Sequence, residues 1–208
     1  MSDPRARAAR WAALACALLW LPGGALADEV APGEAQAVIE KTVDEVLAIL
    51  RDPARDAKTR RAALEDLATD RFDFRTMARL VLARSWKELS VPQQEEFVEQ
   101  FQSYLANDYG NRIERYDQEQ VEVMGARVEP RGDVTVKTRI VGGENSGALV
   151  DYRMRKQGVD WRIIDVVIEG ISLVANFRDQ FRDVMGREGP VSLIERLKEK
   201  NAAPAAGA

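Results

Sequence analysis

The chain contains no histidine, and its single cysteine, Cys16, falls in the N-terminal leader. Without imidazole there is no Ser-His-Asp triad, no Cys-His pair, no zinc site of the usual kind and no histidine-ligated haem. Catalysis would fall to carboxylates, lysine or tyrosine, so the composition points to binding rather than to an enzyme. Long apolar runs are missing too. After the leader no stretch approaches 18 residues, so no membrane-spanning helix is expected. Nor is there a basic stripe interleaved with aromatics, and nucleic acid is not an expected partner.

The leader itself is patterned. Arg5, Arg7 and Arg10 make a positive start, and Trp11 to Leu21 is an uncharged, mostly apolar run of eleven residues. Pro22, Gly23 and Gly24 break that run before the small-residue site Ala25-Leu26-Ala27. This is the arrangement of a cleavable signal peptide over residues 1–27, too short to serve as a membrane anchor. Lipidation at Cys16 would leave only Trp11 to Ala15 as apolar core, and is rejected on that length. Cleavage removes Cys16, so the mature chain has no thiol and no disulfide. It also removes three arginines and one aspartate, taking the formal charge from −4 to −6. Export places the mature protein outside the cytoplasm.

Helical spacing predicts a first helix over about Glu34 to Arg51, with Ile39, Val43, Val46 and Leu50 inward. Asp52-Pro53 stops it. A second helix spans about Ala57 to Ala68, and a short one after Phe72-Asp73-Phe74 carries Met77, Leu80 and Val81 before Trp86. Ser90, Pro92 and Gln93 together mark another helix start, which reaches about Tyr109. From Val121 the pattern alternates instead. Four strands are readable at Val121–Val128, Asp133–Val141, Leu149–Lys156 and Val159–Ile168, joined by connections short enough for an antiparallel meander. Helical spacing returns over Ser172 to Arg187, and Gly189-Pro190 opens a last helix to about Lys200. The alanine-rich tail, residues 201–208, is expected to be disordered. Helices, then one meander, then helices form a single α+β domain over residues 28–200.

The strands place Val136, Ile140, Val150, Tyr152 and Met154 on an apolar face. A turn at Gln157-Gly158 pairing Lys156 with Val159 would set Tyr152 against Ile163, Met154 against Trp161 and Val150 against Asp165. Two readings of this face stay open: an ordinary core, or a pocket for an apolar ligand between sheet and helices. Asp165 is the odd residue, a carboxylate on the apolar face. It pairs with an arginine such as Arg178, sits at a wet margin, or acts as an acid/base group; one β-bulge would flip the register. Arg178 is open in the same way, as a structural ion pair or an anion-facing group at a pocket mouth.

The run from Trp161-Arg162-Ile163-Ile164-Asp165 through Glu169-Gly170-Ile171-Ser172 to Asn176-Phe177-Arg178 and Phe181 resembles the signature of the MlaC family. The earlier half agrees, with Phe72-Asp73-Phe74, Met77, Trp86, Gln93 or Gln94, Phe97 and Phe101 in order. The resemblance covers about Val38 to Asn201. It departs at Leu82-Ala83, where many members carry Leu-Gly.

Members of this family are periplasmic phospholipid-binding components of the maintenance-of-lipid-asymmetry pathway, also called toluene-tolerance auxiliary proteins. The resemblance implies a curved antiparallel sheet wrapped by helices, like that of nuclear-transport-factor-2-like proteins, with acyl chains held between the two layers. It implies a phospholipid cargo and no cofactor. It also implies a periplasmic shuttle between an outer-membrane lipoprotein complex and an inner-membrane ABC transporter; a monomer is expected. The candidate pocket residues are Phe74, Met77, Val81, Phe97, Phe101, Leu105, Val136, Ile140, Val150, Tyr152, Met154, Trp161, Ile163, Val174, Phe177 and Phe181, with Arg178 as a headgroup candidate. No metal site is expected. Two rivals remain: an enzyme on the same fold using Asp165 with Tyr152, and a ligand-free adaptor with a filled core.

Overall fold

The computed structural model describes residues 32–114 and 119–202. The signal-peptide reading of residues 1–27, Cys16 included, and the tail from residue 203 lie outside the described residues. Among the described residues five α-helices and five strands follow one another as α1 (Pro32–Arg51), α2 (Ala57–Arg71), α3 (Phe74–Leu82), α4 (Val91–Glu114), β1 (Gln120–Val128), β2 (Val134–Val141), β3 (Leu149–Gln157), β4 (Asp160–Ile168), β5 (Ile171–Ser172) and α5 (Leu173–Ala202). The helix starts are chemically legible. Asp56 accepts the Thr59 N–H at 2.8 Å and Asp73 the Thr76 N–H at 2.8 Å, each satisfying a donor of the first turn. At Ser90 the Gln93 side chain reaches back to the Ser90 N–H at 2.9 Å, the returning half of a capping box.

One helix runs further than its sequence suggested. Gly110 lies inside α4 and does not end it. The two C-terminal helical stretches follow end to end in α5 and are separated as expected at Gly189-Pro190, where Gly189 is non-helical with φ 82° and ψ 170°. Asn201, assigned to a loose tail, is the penultimate residue of α5 and donates to the Gln100 carbonyl at 2.9 Å.

The sheet is an antiparallel meander in the order β1-β2-β3-β4-β5. The fifth strand was not readable in the sequence, since two residues are too few to show alternation. Together with a bridge from Phe72 to Ile163, it covers the outer edge of β4. Bulges at Val123/Gly125 and at Arg153/Met154 bend the strands and help curve the sheet around its helices.

The second bulge corrects the expected register. A two-residue turn at Gly158-Val159 pairs Gln157 with Asp160, so Lys156 meets Trp161 and Met154 meets Ile163. Past the bulge, Arg153 meets Asp165, Tyr152 meets Val166 and Val150 meets Ile168. The expected pairs Tyr152–Ile163, Met154–Trp161 and Val150–Asp165 do not form. Because neighbours along a strand point to opposite faces, the shift takes Asp165 off the face that carries Tyr152 and Val150.

The core falls into two clusters. One is helical, with Met77, Val81, Phe97, Phe101, Phe177, Leu193 and Ile194 at its centre. Its rings pack edge-on or offset at centroid distances of 5.5–6.3 Å. The other lies between α1 and the sheet and contains Ile39, Val134, Val136, Met154, Trp161, Ile163 and Val166. Phe72 and Leu173 touch both.

Candidate functional site

The second cluster is not uniformly closed. At the end of the sheet nearest the β3–β4 turn, Val134, Val136, Met154, Trp161 and Ile163 are sealed, and so are Ala35 and Ile39 from the first half of α1. At the opposite end the apolar side chains keep part of their surface. There Val121 and Ile140, paired across β1 and β2, and Val150 and Ile168, paired across β3 and β4, are only half-buried. Val43, Val46, Leu47 and Leu50 from the second half of α1 are half-buried as well. Helix α2 buries none of its residues fully, including the inward Leu64 and Leu67. Sheet and helix thus show one gradient, from dry packing to accessible apolar surface.

Tyr152 stands near the turning point of this gradient. It is half-buried, yet desolvation pushes its pKa up to about 12, with no hydrogen bond contributing. Thr138, fully buried on the same face, donates its hydroxyl to the Val150 carbonyl at 2.6 Å and presents no free polar group.

The structure divides the sequence-derived candidates into three. Met77, Val81, Phe97, Phe101, Leu105, Val174, Phe177 and Phe181 are buried in the helical cluster, against which Phe74 packs. Val136, Met154, Trp161 and Ile163 form the sealed end of the sheet cluster. Ile140, Val150 and Tyr152 lie on the half of the sheet where apolar surface remains accessible. Val43, Val46, Leu47 and Leu50 on α1, outside the candidate set, also keep part of their surface; their helical spacing was visible, but which half of α1 closes on the sheet was not.

Arg178 donates through Nε and Nη2 to the Leu80 carbonyl, at 3.0 and 2.6 Å. It therefore binds the last turn of α3 from α5, where free carbonyls attract a cation, and does not pair with Asp165. Asp165 is only 1% exposed and is saturated. It accepts the Ser172 hydroxyl at 2.6 Å and the Val174 N–H at 3.1 Å, and Arg153 stands 3.7 Å away. Ser172 in turn accepts the Ala175 N–H at 3.0 Å, so the pair caps α5. Asp165 and Tyr152 occupy opposite faces of the sheet, and the acid/base couple considered for an enzyme does not assemble.

A separate open cleft of about 600 Å³ lies at the β3–β4 turn, lined by Glu34, Val38, Asp70, Arg71, Lys156, Trp161 and Arg162 among others. Its lining is largely polar and paired. Glu34 accepts from Lys156 at 2.9 Å and from Trp161 at 3.1 Å, and these bonds hold its carboxyl below the usual range. This cleft sits at the sealed end of the sheet and is not the apolar pocket expected between the layers. Among the described residues no group of acidic side chains is placed to hold a metal ion, and no helix is long and apolar enough to cross a membrane.

A helix-wrapped antiparallel sheet whose apolar face keeps accessible surface at one end defines the class: a small α+β protein with one sealed and one partly open half of its sheet. The chain belongs to the MlaC family, whose model, described as MlaC protein, matches residues 40–199. It is 26% identical over 158 residues to toluene tolerance protein ttg2D from Pseudomonas putida, covering 73% of each chain. Its structure is similar to that of a phospholipid-binding protein from Ralstonia solanacearum solved in complex with a phospholipid. The two share 27% identity at a TM-score of 0.73, over 81% of this chain and 97% of the other.

Proposed function

We propose that this protein is a periplasmic phospholipid carrier, holding acyl chains between the open half of the sheet and the helices above it. The observation that carries the reading is the accessible apolar surface around Ile140, Val150, Tyr152 and the second half of α1, in a fold shared with a phospholipid-bound relative. The helical cluster and the sealed end of the sheet serve as scaffold. In this reading residues 1–27 direct export and are removed, residues 28–200 form the lipid-binding domain, and the monomer travels between an outer-membrane and an inner-membrane complex.

The energetics give such a carrier its purpose. Hydrocarbon gains about 0.8 kcal/mol per buried CH₂, so a lipid with roughly 30 methylenes meets a barrier on the order of 20 kcal/mol to crossing water alone. A dry interior lowers that barrier, provided it holds the lipid no more tightly than the membranes it serves. The sheet favours such balance, because only part of its apolar face keeps accessible surface. Met77 and Met154, whose flexible side chains suit adjustable packing, are sealed in the two clusters and belong to the scaffold.

Native mass spectrometry of protein purified from a Gram-negative periplasm tests the reading. Phospholipid at about one per chain is expected. Protein that emerges lipid-free and also takes no lipid from vesicles would refute it.

A further inference from the structure

At the open end of the sheet, Glu119 leads into β1 beside the loop 142–148 that joins β2 to β3. Its side chain turns onto that loop. It lies so close to Gly143 that a Cβ there would stand 2.4 Å from the Glu119 Cγ, and its Oε1 accepts from the Asn145 amide at 3.3 Å. Only glycine fits at 143 beside this glutamate, and the chain turns there at φ 66°. Glu119 is 7% exposed, whereas every residue from 142 to 147 is exposed. The Glu119 backbone is tied in turn to the helix layer, since Arg51 at the end of α1 donates to its carbonyl at 3.4 Å. The half-buried Ile140 and Val150 flank the loop, and the half-buried Leu47 and Leu50 precede Arg51. Loop, Glu119 and α1 thus meet where the apolar surface is accessible.

This closure is weaker than the one at the other end. There Glu34 on α1 accepts from Lys156 at 2.9 Å and from the buried Trp161 at 3.1 Å. At the open end the two bonds are longer, 3.3 and 3.4 Å, and among the described residues the Glu119 carboxylate accepts only the one from Asn145. The loop reads Gly-Gly-Glu-Asn-Ser-Gly-Ala, with no apolar side chain larger than alanine. Lifting it away from Glu119 therefore exposes little apolar surface and costs little.

We propose that the loop 142–148 is a flap at the open end of the interior, latched by Glu119 through Gly143 and Asn145, and that it lifts to let an apolar guest in or out. The assignment rests on the carrier reading and adds a gating step to it. Glu119 holds the closed state without forming part of the seat, so the latch sets how fast a guest exchanges and leaves unchanged how much is bound at equilibrium.

A disulfide switch tests the latch. One bond beyond the 2.4 Å contact, a Cβ at 143 lies at most about 4 Å from the Glu119 Cβ, within the roughly 3.5–4.5 Å that a disulfide spans. Replacing Glu119 as well removes the clash at 143, and from residue 28 onward the sequence has no cysteine to compete. The double variant Glu119→Cys, Gly143→Cys is mixed with phosphatidylglycerol vesicles carrying a pyrene-labelled acyl chain, and uptake is followed by loss of excimer fluorescence. The oxidised form should load about tenfold more slowly than the reduced form and reach the same final occupancy. Equal rates in the two forms would overturn the latch and leave the carrier reading standing. A lower final occupancy on oxidation would also overturn it, by placing residues 119 and 143 in the seat itself. Asn145→Ala, which cuts the bond to Glu119 without straining the backbone, should load about three- to tenfold faster at unchanged occupancy. It decides the matter if the cysteine pair does not fold or oxidise, and loading at the wild-type rate would then refute the latch. A wild type that takes up no lipid sinks the carrier reading and the latch together.

Discussion

Asp165 offers the sharpest quantitative test, because a buried carboxylate is either holding the fold or doing chemistry. The structure gives it two bonds at the start of α5, from the Ser172 hydroxyl and the Val174 N–H, with Arg153 alongside. Replacing it with alanine orphans the Val174 N–H, and a lost bond to a charged group costs about 1.5–3 kcal/mol. Loss of a negative charge at a helix N-terminus adds up to about 2 kcal/mol in partly buried settings. Asp165→Ala should therefore destabilise the domain by about 3–5 kcal/mol, a large share of the roughly 5–15 kcal/mol typical of a domain. Asp165→Asn keeps the shape and one acceptor, and should cost about half as much. Arg153 is 44% exposed along its side chain and contributes little. Urea unfolding followed by circular dichroism measures the loss. A double-mutant cycle with Ser172→Ala should show coupling of about 1 kcal/mol between the two side chains. The capping argument is wrong if Asp165→Asn unfolds within 0.5 kcal/mol of wild type, about the usual effect of a neutral surface change. If the variant also lost lipid loading while keeping its stability, Asp165 would be a functional group.

Three further outcomes follow from particular residues. Ala83 adopts φ 51° and ψ −112°, outside the regions open to a side chain with Cβ, so Ala83→Gly should raise stability by about 1 kcal/mol and the midpoint by about 2–4 °C in a thermal melt. Val150→Trp should fill the open half of the interior: an indole displacing roughly 100 Å² of lipid contact forfeits about 2.5 kcal/mol, lowering lipid uptake from vesicles by one to two orders of magnitude. The domain should stay folded, whereas Val136→Trp in the sealed end should unfold it, and equal behaviour of the two would remove the distinction between open and sealed halves. Tyr152 ties stability to alkaline pH. Its pKa is raised in the folded state, so its contribution is complete below the unfolded value near 10 and is lost as pH rises towards about 12. Wild type should lose stability across that window in denaturant titrations, and Tyr152→Phe should lose less.

Ala83 also shows how a departure from a family pattern becomes physical. The resemblance led glycine to be expected where this chain has Ala83, and the structure shows a positive φ at that position. The helix start at Ser90 was read from the sequence, and Asp56 and Asp73 cap by the same local chemistry: one side chain and the N–H groups two or three residues on. The four longer strands were legible for a similar reason, as alternation needs only the strand itself.

Register was not legible. The expected pairing of β3 with β4 failed through one turn residue and one bulge, and every facing pair changed with it. Nor did the sequence separate cavity wall from core. Phe97 and Val150 are both apolar residues on inward stripes, yet one is sealed among aromatic rings and the other keeps accessible surface. Composition decided what the interior is made of and which chemistries are absent, because those depend on residue identity alone. Local pattern decided where helices and strands run. Which carboxylate caps a helix and which half of the sheet stays open were decided only by the tertiary structure. Each of these depends on the distance between elements far apart in the chain, and a single bulge can reset that distance without changing the pattern that codes for the strands.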